Sequence, residues 1–136
     1  MKIAIRYYTR SGNTERLAKA ISSELLVEAK TVEENLEEKV DILFLGCSYY
    51  AFDVDESVKK FVEENREKIG KIVCFGTSAM MRSMQKPMKK VARANSVELA
   101  EKDFHCRGEF GPFFKGQPNA DDIAAAINFV KKIVEE

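Results

Sequence analysis

The sequence reads Thr9-Arg10-Ser11-Gly12-Asn13-Thr14 between an apolar run at residues 3–8 and a helical pattern at residues 14–26. An apolar run of this length predicts a strand, so the hexapeptide is interpreted as a turn from a strand into a helix. The first N–H groups of a helix lack intrahelical partners, and the helix dipole places positive charge there. Together with the hydroxyl and amide side chains, they predict a phosphate site. A plain turn with a helix N-cap is the alternative.

The rest of the chain continues the alternation of strand and helix. Further strands are predicted at residues 27–32, 41–48, 71–76 and 97–105, and further helices at residues 55–69, 83–95 and 119–136. Strands that alternate with helices require a parallel sheet covered on both faces. The acidic segment 31–38 is too short and too polar for a covering helix. We therefore predict a single α/β domain, residues 1–136, with a doubly wound five-stranded parallel sheet and helices on both faces.

The charge and composition exclude several classes of partner. The 136 residues include 22 Lys and Arg and 22 Asp and Glu, so the formal net charge is zero and nothing indicates nucleic acid or anionic lipid. Charged segments such as Lys89-Lys90 and residues 33–39 are interpreted as solvated faces. The sequence has no apolar run of about 20 residues and no signal-like N-terminus. We expect a cytoplasmic protein without membrane association, as a monomer or weak dimer.

The three cysteines give little indication of redox or metal chemistry. Cys47 and Cys74 lie in apolar runs, where cysteine usually acts as a small hydrophobic residue. Cys106 lies between His105 and Arg107, a polar setting that can activate a thiol. We nevertheless expect a buried structural thiol at this position. With one histidine and no ligand cluster, the sequence does not support a zinc site.

Three loops are predicted to meet at one edge of the sheet. In the strand order 2-1-3-4-5, the loops after strands one, three and four lie together at the carboxyl ends of the strands, where such sheets bind ligands. The second loop is rich in aromatic residues and the third contains methionines, which suits a flat, polarizable heterocycle. Alternatively, the aromatic residues only fasten their loop to the next helix. The candidate site residues are Thr9, Arg10, Ser11, Gly12, Asn13, Thr14, Ser48, Tyr49, Tyr50, Ala51, Phe52, Asp53, Thr77, Ser78, Ala79, Met80 and Arg82.

These motifs resemble the flavodoxin family along nearly the whole chain. Residues 9–14 match the family's phosphate loop, Thr/Ser-x-Thr/Ser-Gly-Asn-Thr, at every specified position. Residues 46–50 are similar to the second flavin loop, and residues 75–78 resemble the start of the third. The segments 106–108 and 115–119 resemble a region of flavodoxin-like proteins from anaerobic bacteria. The resemblance implies noncovalent FMN, with residues 9–14 on its phosphate and the other two loops around its ring. It also implies an electron carrier between redox protein partners.

The chain departs from the family pattern in two respects. Typical flavodoxins are strongly acidic, whereas this chain is neutral, so we expect weaker electrostatic steering of partners. The second loop also has no glycine between Ser48 and Asp55.

His105, near the end of the last strand, is interpreted as a packed or partly exposed residue rather than a proton donor. Two other functions stay open: an FMN-dependent reductase that passes a hydride from NAD(P)H to a quinone-type acceptor, and a flavin-free partner-binding module of the same fold.

Overall fold

The computed structural model describes residues 1–48, 53–78, 83–109 and 115–136, which contain six strands and four helices. The strands are β1 (Ile3–Tyr7), β2 (Ala29–Thr31), β3 (Ile42–Ser48), β4 (Lys71–Thr77), β5 (Glu98–Leu99) and β6 (Phe104–Cys106). The helices are α1 (Asn13–Leu25), α2 (Glu56–Asn65), α3 (Gln85–Ala94) and α4 (Ala120–Glu135). A 3₁₀ turn, Arg66–Lys68, follows α2, so that helix is shorter than predicted.

All strand pairs of the sheet are parallel, in the order β2-β1-β3-β4-β5, with β6 also paired to β4. This confirms the predicted α/β fold and strand order. The register places Tyr7 beside Gly46, and Ser48 beside Thr77, which in turn pairs with Cys106. The carboxyl ends of β1, β3, β4 and β6 therefore form one continuous edge.

The last strand, predicted as one run over residues 97–105, is interrupted. Both β5 and β6 pair with β4, and the N–H of Ala100 still donates to the Ile72 carbonyl of β4 (2.8 Å), but residues 100–103 belong to neither strand. Gln85 Nε2 donates to the carbonyls of Ala100 (2.8 Å) and Glu101 (3.1 Å), and Ser83 Oγ donates to Asp103 Oδ2 (2.7 Å). Polar side chains at the start of α3 thus form hydrogen bonds with the residues between β5 and β6. Because these contacts join residues that are distant in the sequence, local sequence patterns do not predict them.

The central strand β3 is buried on both faces, as parallel sheets with two helical layers require. On one face it contributes to a cluster with α2 and α3, formed by residues including Leu43, Leu45, Val58, Phe61 and Met88. On the other face it contributes to a cluster with α1 and α4, formed by residues including Ile42, Phe44, Leu17, Ile21 and Val130. The alternation of side chains along β3 divides its apolar residues between the two layers.

The connection from β2 to β3 contains no helix: residues 32–41 form turns and irregular backbone, which agrees with the prediction. A buried arginine holds it in place. Arg6 Nε donates to the carbonyl of Glu34 (2.9 Å) and Arg6 Nη2 donates to that of Asn35 (3.3 Å). Burial lowers the pKa of Arg6, while nearby glutamates led by Glu34 oppose that shift. The last residue of α2 also contacts this connection: Asn65 Oδ1 accepts from the N–H of Leu36 (2.8 Å).

Within residues 1–48, 53–78, 83–109 and 115–136, no helix is both long and apolar enough to cross a bilayer.

Candidate functional site

The predicted phosphate loop makes a tight turn into α1. Gly12 has φ 88° and ψ −5°, a left-handed conformation that glycine adopts without the strain of a Cβ atom. Its N–H donates to Thr9 Oγ1 (2.9 Å), and its carbonyl accepts from the N–H of Arg16 (3.1 Å). No side chain caps α1 in the described part of the chain. The N-cap residue is Gly12, which has no side chain that could accept from the first N–H groups of the helix, and the phosphate-binding role of the turn stays a prediction.

Three hydroxyl groups tie the three loops together. Thr14 Oγ1 lies 3.0 Å from Ser48 Oγ and 3.0 Å from Thr77 Oγ1, and all three residues are buried. Thr14 begins α1 after the first loop, while Ser48 and Thr77 end β3 and β4. The described ends of the three loops therefore meet at one place, as the strand order predicts, and buried hydrogen bonds hold them there.

The end of β6 closes against the first loop. Asn13 Nδ2 donates to the carbonyl of Glu109 (3.1 Å). Gly108 is buried, and a Cβ atom on it would lie 2.6 Å from Asn13 Nδ2 and 3.2 Å from Thr77 Cβ. A side chain at this position would therefore have to displace the Asn13 amide. The N–H of Glu109 also donates to the carbonyl of Gln117 (2.9 Å), so the two ends of segment 109–117 meet beside the first loop.

The described end of the second loop carries two carboxylates. Asp53 accepts from Lys59 Nζ (2.8 Å) and from the N–H of Val54 (2.8 Å), and these hydrogen bonds, led by that of Lys59, lower its pKa. Asp55 caps α2 by accepting from the N–H (3.0 Å) and Oγ (2.6 Å) of Ser57. These bonds, a hydrogen bond from Tyr8 and the charge of Arg10 lower the Asp55 pKa. Both carboxylates are thus kept ionised at the rim of the site.

The third loop begins from Ser78, whose N–H donates to the carbonyl of Cys106 (3.0 Å). Farther along this edge, His105 is half-buried in β6, with its Nδ1 3.7 Å from Asp103 Oδ2. The same carboxylate oxygen accepts from Ser83. The position of His105 agrees with the predicted packed or partly exposed strand-end residue.

Seven of the candidate residues lie outside the described part of the chain. They are Tyr49, Tyr50, Ala51, Phe52, Ala79, Met80 and Arg82. Their roles stay predictions, as do the ligand-binding roles of the described candidates. Of those, Arg10 and Ser11 are exposed at the surface of the first loop.

The cysteines are buried and free, as expected for structural thiols. Burial raises the pKa of Cys47 to about 12 and that of Cys106 to about 12, and it raises the Cys74 pKa well above its ordinary value. A thiol with so high a pKa is a poor nucleophile at neutral pH. Among the described residues no group of three or more His, Cys, Asp or Glu side chains is placed to hold a metal ion.

Sequence reasoning missed several polar residues around the site. Tyr8 lies at the end of the predicted first strand, yet its side chain forms a hydrogen bond with the Asp55 carboxylate. Tyr7 Oη donates to Glu15 Oε2 (2.9 Å), which links β1 to the first turn of α1. Asp55 followed two residues later by Ser57 is the sequence signal of an N-cap, and it marks the start of α2 correctly. No local signal identifies the two tyrosines.

Comparison with known proteins gives a consistent result. The family model described as flavodoxin domain matches residues 4–115. An uncharacterized protein of Methanocaldococcus jannaschii is 27% identical over 150 residues, an alignment that covers 99% of this chain and 99% of that protein.

Solved structures share the fold. A flavodoxin from the domain Archaea has a TM-score of 0.76 at 18% identity, with 99% of this chain and 97% of that chain covered. Flavodoxin 2 from Bacillus cereus has a TM-score of 0.69 at 21% identity, with 99% of each chain covered. A short-chain flavodoxin associated with a non-canonical PDU bacterial microcompartment has a TM-score of 0.74 at 16% identity, covering 99% and 98%.

Proposed function

Because the chain belongs to the flavodoxin domain family, we propose that it binds riboflavin 5′-phosphate (FMN) and carries electrons between redox protein partners. The hydroxyl cluster of Thr14, Ser48 and Thr77 is the observation that carries this proposal. It joins the phosphate loop to the ends of β3 and β4 at the switch point of the sheet, where doubly wound proteins bind their ligands. A ligand that spans all three loops needs this arrangement.

The donor set fits a phosphate that the protein holds permanently. The first turn of α1 offers N–H groups that no side chain of the described residues caps, and the helix dipole favours an anion there. Ser11 is exposed beside them and can donate a further hydrogen bond. Uncharged donors are sufficient for a phosphate monoester that stays bound. No phosphate group leaves, so no metal ion is needed to stabilise a leaving group.

When bound, FMN supplies the electron-accepting ring, and the protein supplies binding and electrostatics. Residues 9–14 would hold the phosphate. The loops that begin at Ser48 and Thr77 would border the ring. The carboxylates of Asp53 and Asp55 lie at the rim and remain ionised at neutral pH, so they disfavour extra negative charge close to them.

A ligand titration with a matched pair of variants tests the phosphate assignment. Ser11→Ala removes an exposed hydroxyl of the loop, and Ser23→Ala removes an exposed hydroxyl from the opposite end of α1. We expect FMN to bind more tightly than riboflavin, and Ser11→Ala to weaken FMN binding about 10-fold or more without changing riboflavin binding. Ser23→Ala should match the wild type. Equal affinities for FMN and riboflavin would contradict a phosphate loop.

The enzyme alternative is separated by a second measurement. We expect the FMN-loaded protein to leave NAD(P)H unoxidised unless a reductase is added. Rapid oxidation of NAD(P)H by the purified protein alone would replace the carrier assignment with that of a reductase. Failure to bind any flavin would instead favour a partner-binding module.

A further inference from the structure

The exposed side of α3 carries a row of cations. Lys86, Lys89, Lys90 and Arg93 are all exposed and lie at positions i, i+3, i+4 and i+7. This spacing puts them on one face of the helix, along roughly 10 Å of its axis. We call these four residues the α3 stripe. The helix contains no acidic residue, whereas α1, α2 and α4 each contain both charge signs.

The α3 stripe lowers the stability of helix α3. Like charges three and four residues apart repel, at a cost of about 0.2–0.5 kcal/mol for each pair. Within the described part of the chain, the ion pairs within 4.0 Å involve other cations, and none includes a member of the stripe. A neutral molecule that concentrates positive charge on one helix, without ion pairs within 4.0 Å among the described residues, therefore presents a surface suited to an anionic partner.

The stripe adjoins the candidate site. α3 follows the third loop directly, so its first turn lies at the carboxyl edge of the sheet. α2 and α3 share one layer, and the charge of Lys90 reaches Asp53 at the end of the second loop, where it adds to the larger effect of Lys59 on the Asp53 pKa. A protein that contacts the stripe would therefore also lie close to Asp53, at the described end of the second loop.

We propose that the α3 stripe is the docking surface for an acidic redox protein, whose Asp and Glu side chains pair with these cations. This inference rests on the proposed function, because the partner is taken to be an electron donor or acceptor of the bound flavin. Four clustered cations on a molecule of zero net charge orient a partner at short range. A protein that makes about 6–10 phosphate contacts binds DNA with a strong salt dependence, whereas this stripe offers only four cations.

Binding of a fluorescein-labelled oligoglutamate peptide, followed by anisotropy at low ionic strength, tests the proposal without requiring flavin. Lys89→Glu/Lys90→Glu reverses the centre of the stripe. Lys131→Glu/Lys132→Glu makes the same charge change on α4, in the opposite layer. We expect the first variant to weaken peptide binding about 10-fold or more and the control to change it less than about twofold. Wild-type binding should also weaken with added salt.

Three results would overturn the proposal: no peptide binding by the wild type, equal losses in both double variants, or tighter binding of duplex DNA or phosphatidylserine vesicles than of the peptide. Thermal melts establish that both variants are folded. An FMN titration of the same proteins separates the two proposals. If no form binds FMN while the peptide result holds, the proposed function fails together with the redox role of the partner, and the α3 stripe stands only as a docking surface for an acidic protein.

Discussion

Thr14 shows how one side chain can serve both the fold and the site. It has no exposed surface, and its hydroxyl is shared between Ser48 and Thr77. A buried hydroxyl without a hydrogen-bond partner lowers the free energy of unfolding. Removing the Thr14 hydroxyl leaves the hydroxyls of Ser48 and Thr77 each short of one hydrogen bond. The three loop ends then lose the contacts that hold them together.

Replacing Thr14 with valine tests this role at nearly constant volume. We expect Thr14→Val to lower the free energy of unfolding by about 1–3 kcal/mol and to weaken FMN binding, because both hydrogen bonds are lost. Thr31→Val, at an exposed position in β2, should change stability by less than about 0.5 kcal/mol. Urea unfolding and FMN titration measure the two effects. Wild-type stability in Thr14→Val would show that the cluster contributes nothing to the fold.

The buried thiols make stability depend on alkaline pH. Burial raises the Cys106 pKa from 9.0 to about 12, with a smaller contribution from Asp122, opposed by Arg16. Between these values the unfolded chain has lost a proton that the folded chain retains. The free energy of unfolding therefore falls as pH rises from 9 towards 12, by up to about 1.4 kcal/mol per pH unit for each such thiol.

Cys106→Ala should isolate this contribution. The variant loses a roughly constant amount of stability at all pH values, because it leaves a small cavity. Its decline between pH 9 and pH 11 should be about 2 kcal/mol smaller than that of the wild type. Urea unfolding under reducing conditions at several pH values gives both slopes. Parallel slopes would mean that the Cys106 thiol ionises as readily in the folded protein as in the unfolded chain.

At the scale of elements, apolar runs predicted the sheet well because β1, β3 and β4 are buried and continuous. The break between β5 and β6 was not predictable, since it depends on Gln85 and Ser83 from another element. The meeting of the three loops followed from strand order. The mutual bonding of Thr14, Ser48 and Thr77 did not, because it needs side-chain geometry that spacing does not contain.

The β2–β3 connection depends on side chains from elsewhere rather than on a helix of its own. Asn65 makes two of these contacts: it accepts from the N–H of Leu36 and donates to Asn35 Oδ1 (3.0 Å). It also donates to the carbonyl of Phe61 (2.8 Å) in its own helix. Lys68 Nζ also donates to the carbonyl of Leu36 (2.9 Å). The side-chain amide of Asn65 therefore replaces part of the stabilisation that a helix would give to the β2–β3 connection.

We expect Asn65→Ala to lower the free energy of unfolding by about 2–3 kcal/mol, because a buried N–H is left without a partner. Amide exchange at Leu36 should accelerate more than exchange in β3, since the connection detaches locally. Asn128→Ala, at an exposed position in α4, is the matched control and should change stability by less than about 0.5 kcal/mol. Uniform acceleration across the sheet would indicate global destabilisation instead of local release.

At the scale of the whole molecule, zero net charge conceals an uneven distribution. The α3 stripe lies in the layer of α2 and α3, while the carboxylates of Asp53 and Asp55 lie at the rim of the site. A partner would thus meet cations on the helix and carboxylates beside the loops. Such a pattern specifies orientation, because turning the partner around would place like charges together.

Ligand binding at the site should stabilise the entire fold, because the site joins three loops from both helical layers. A ligand that binds the folded state alone adds about 2.7 kcal/mol when its concentration is 100 times its dissociation constant. For a chain of 136 residues this corresponds to a rise in Tm of roughly 8–13 °C. We expect this rise with FMN, a smaller one with riboflavin at the same concentration, and none with adenosine monophosphate. Thermal melts followed by circular dichroism measure it. An equal rise with riboflavin would place the binding energy on the ring alone, and no rise with FMN would remove the flavin from the proposed function.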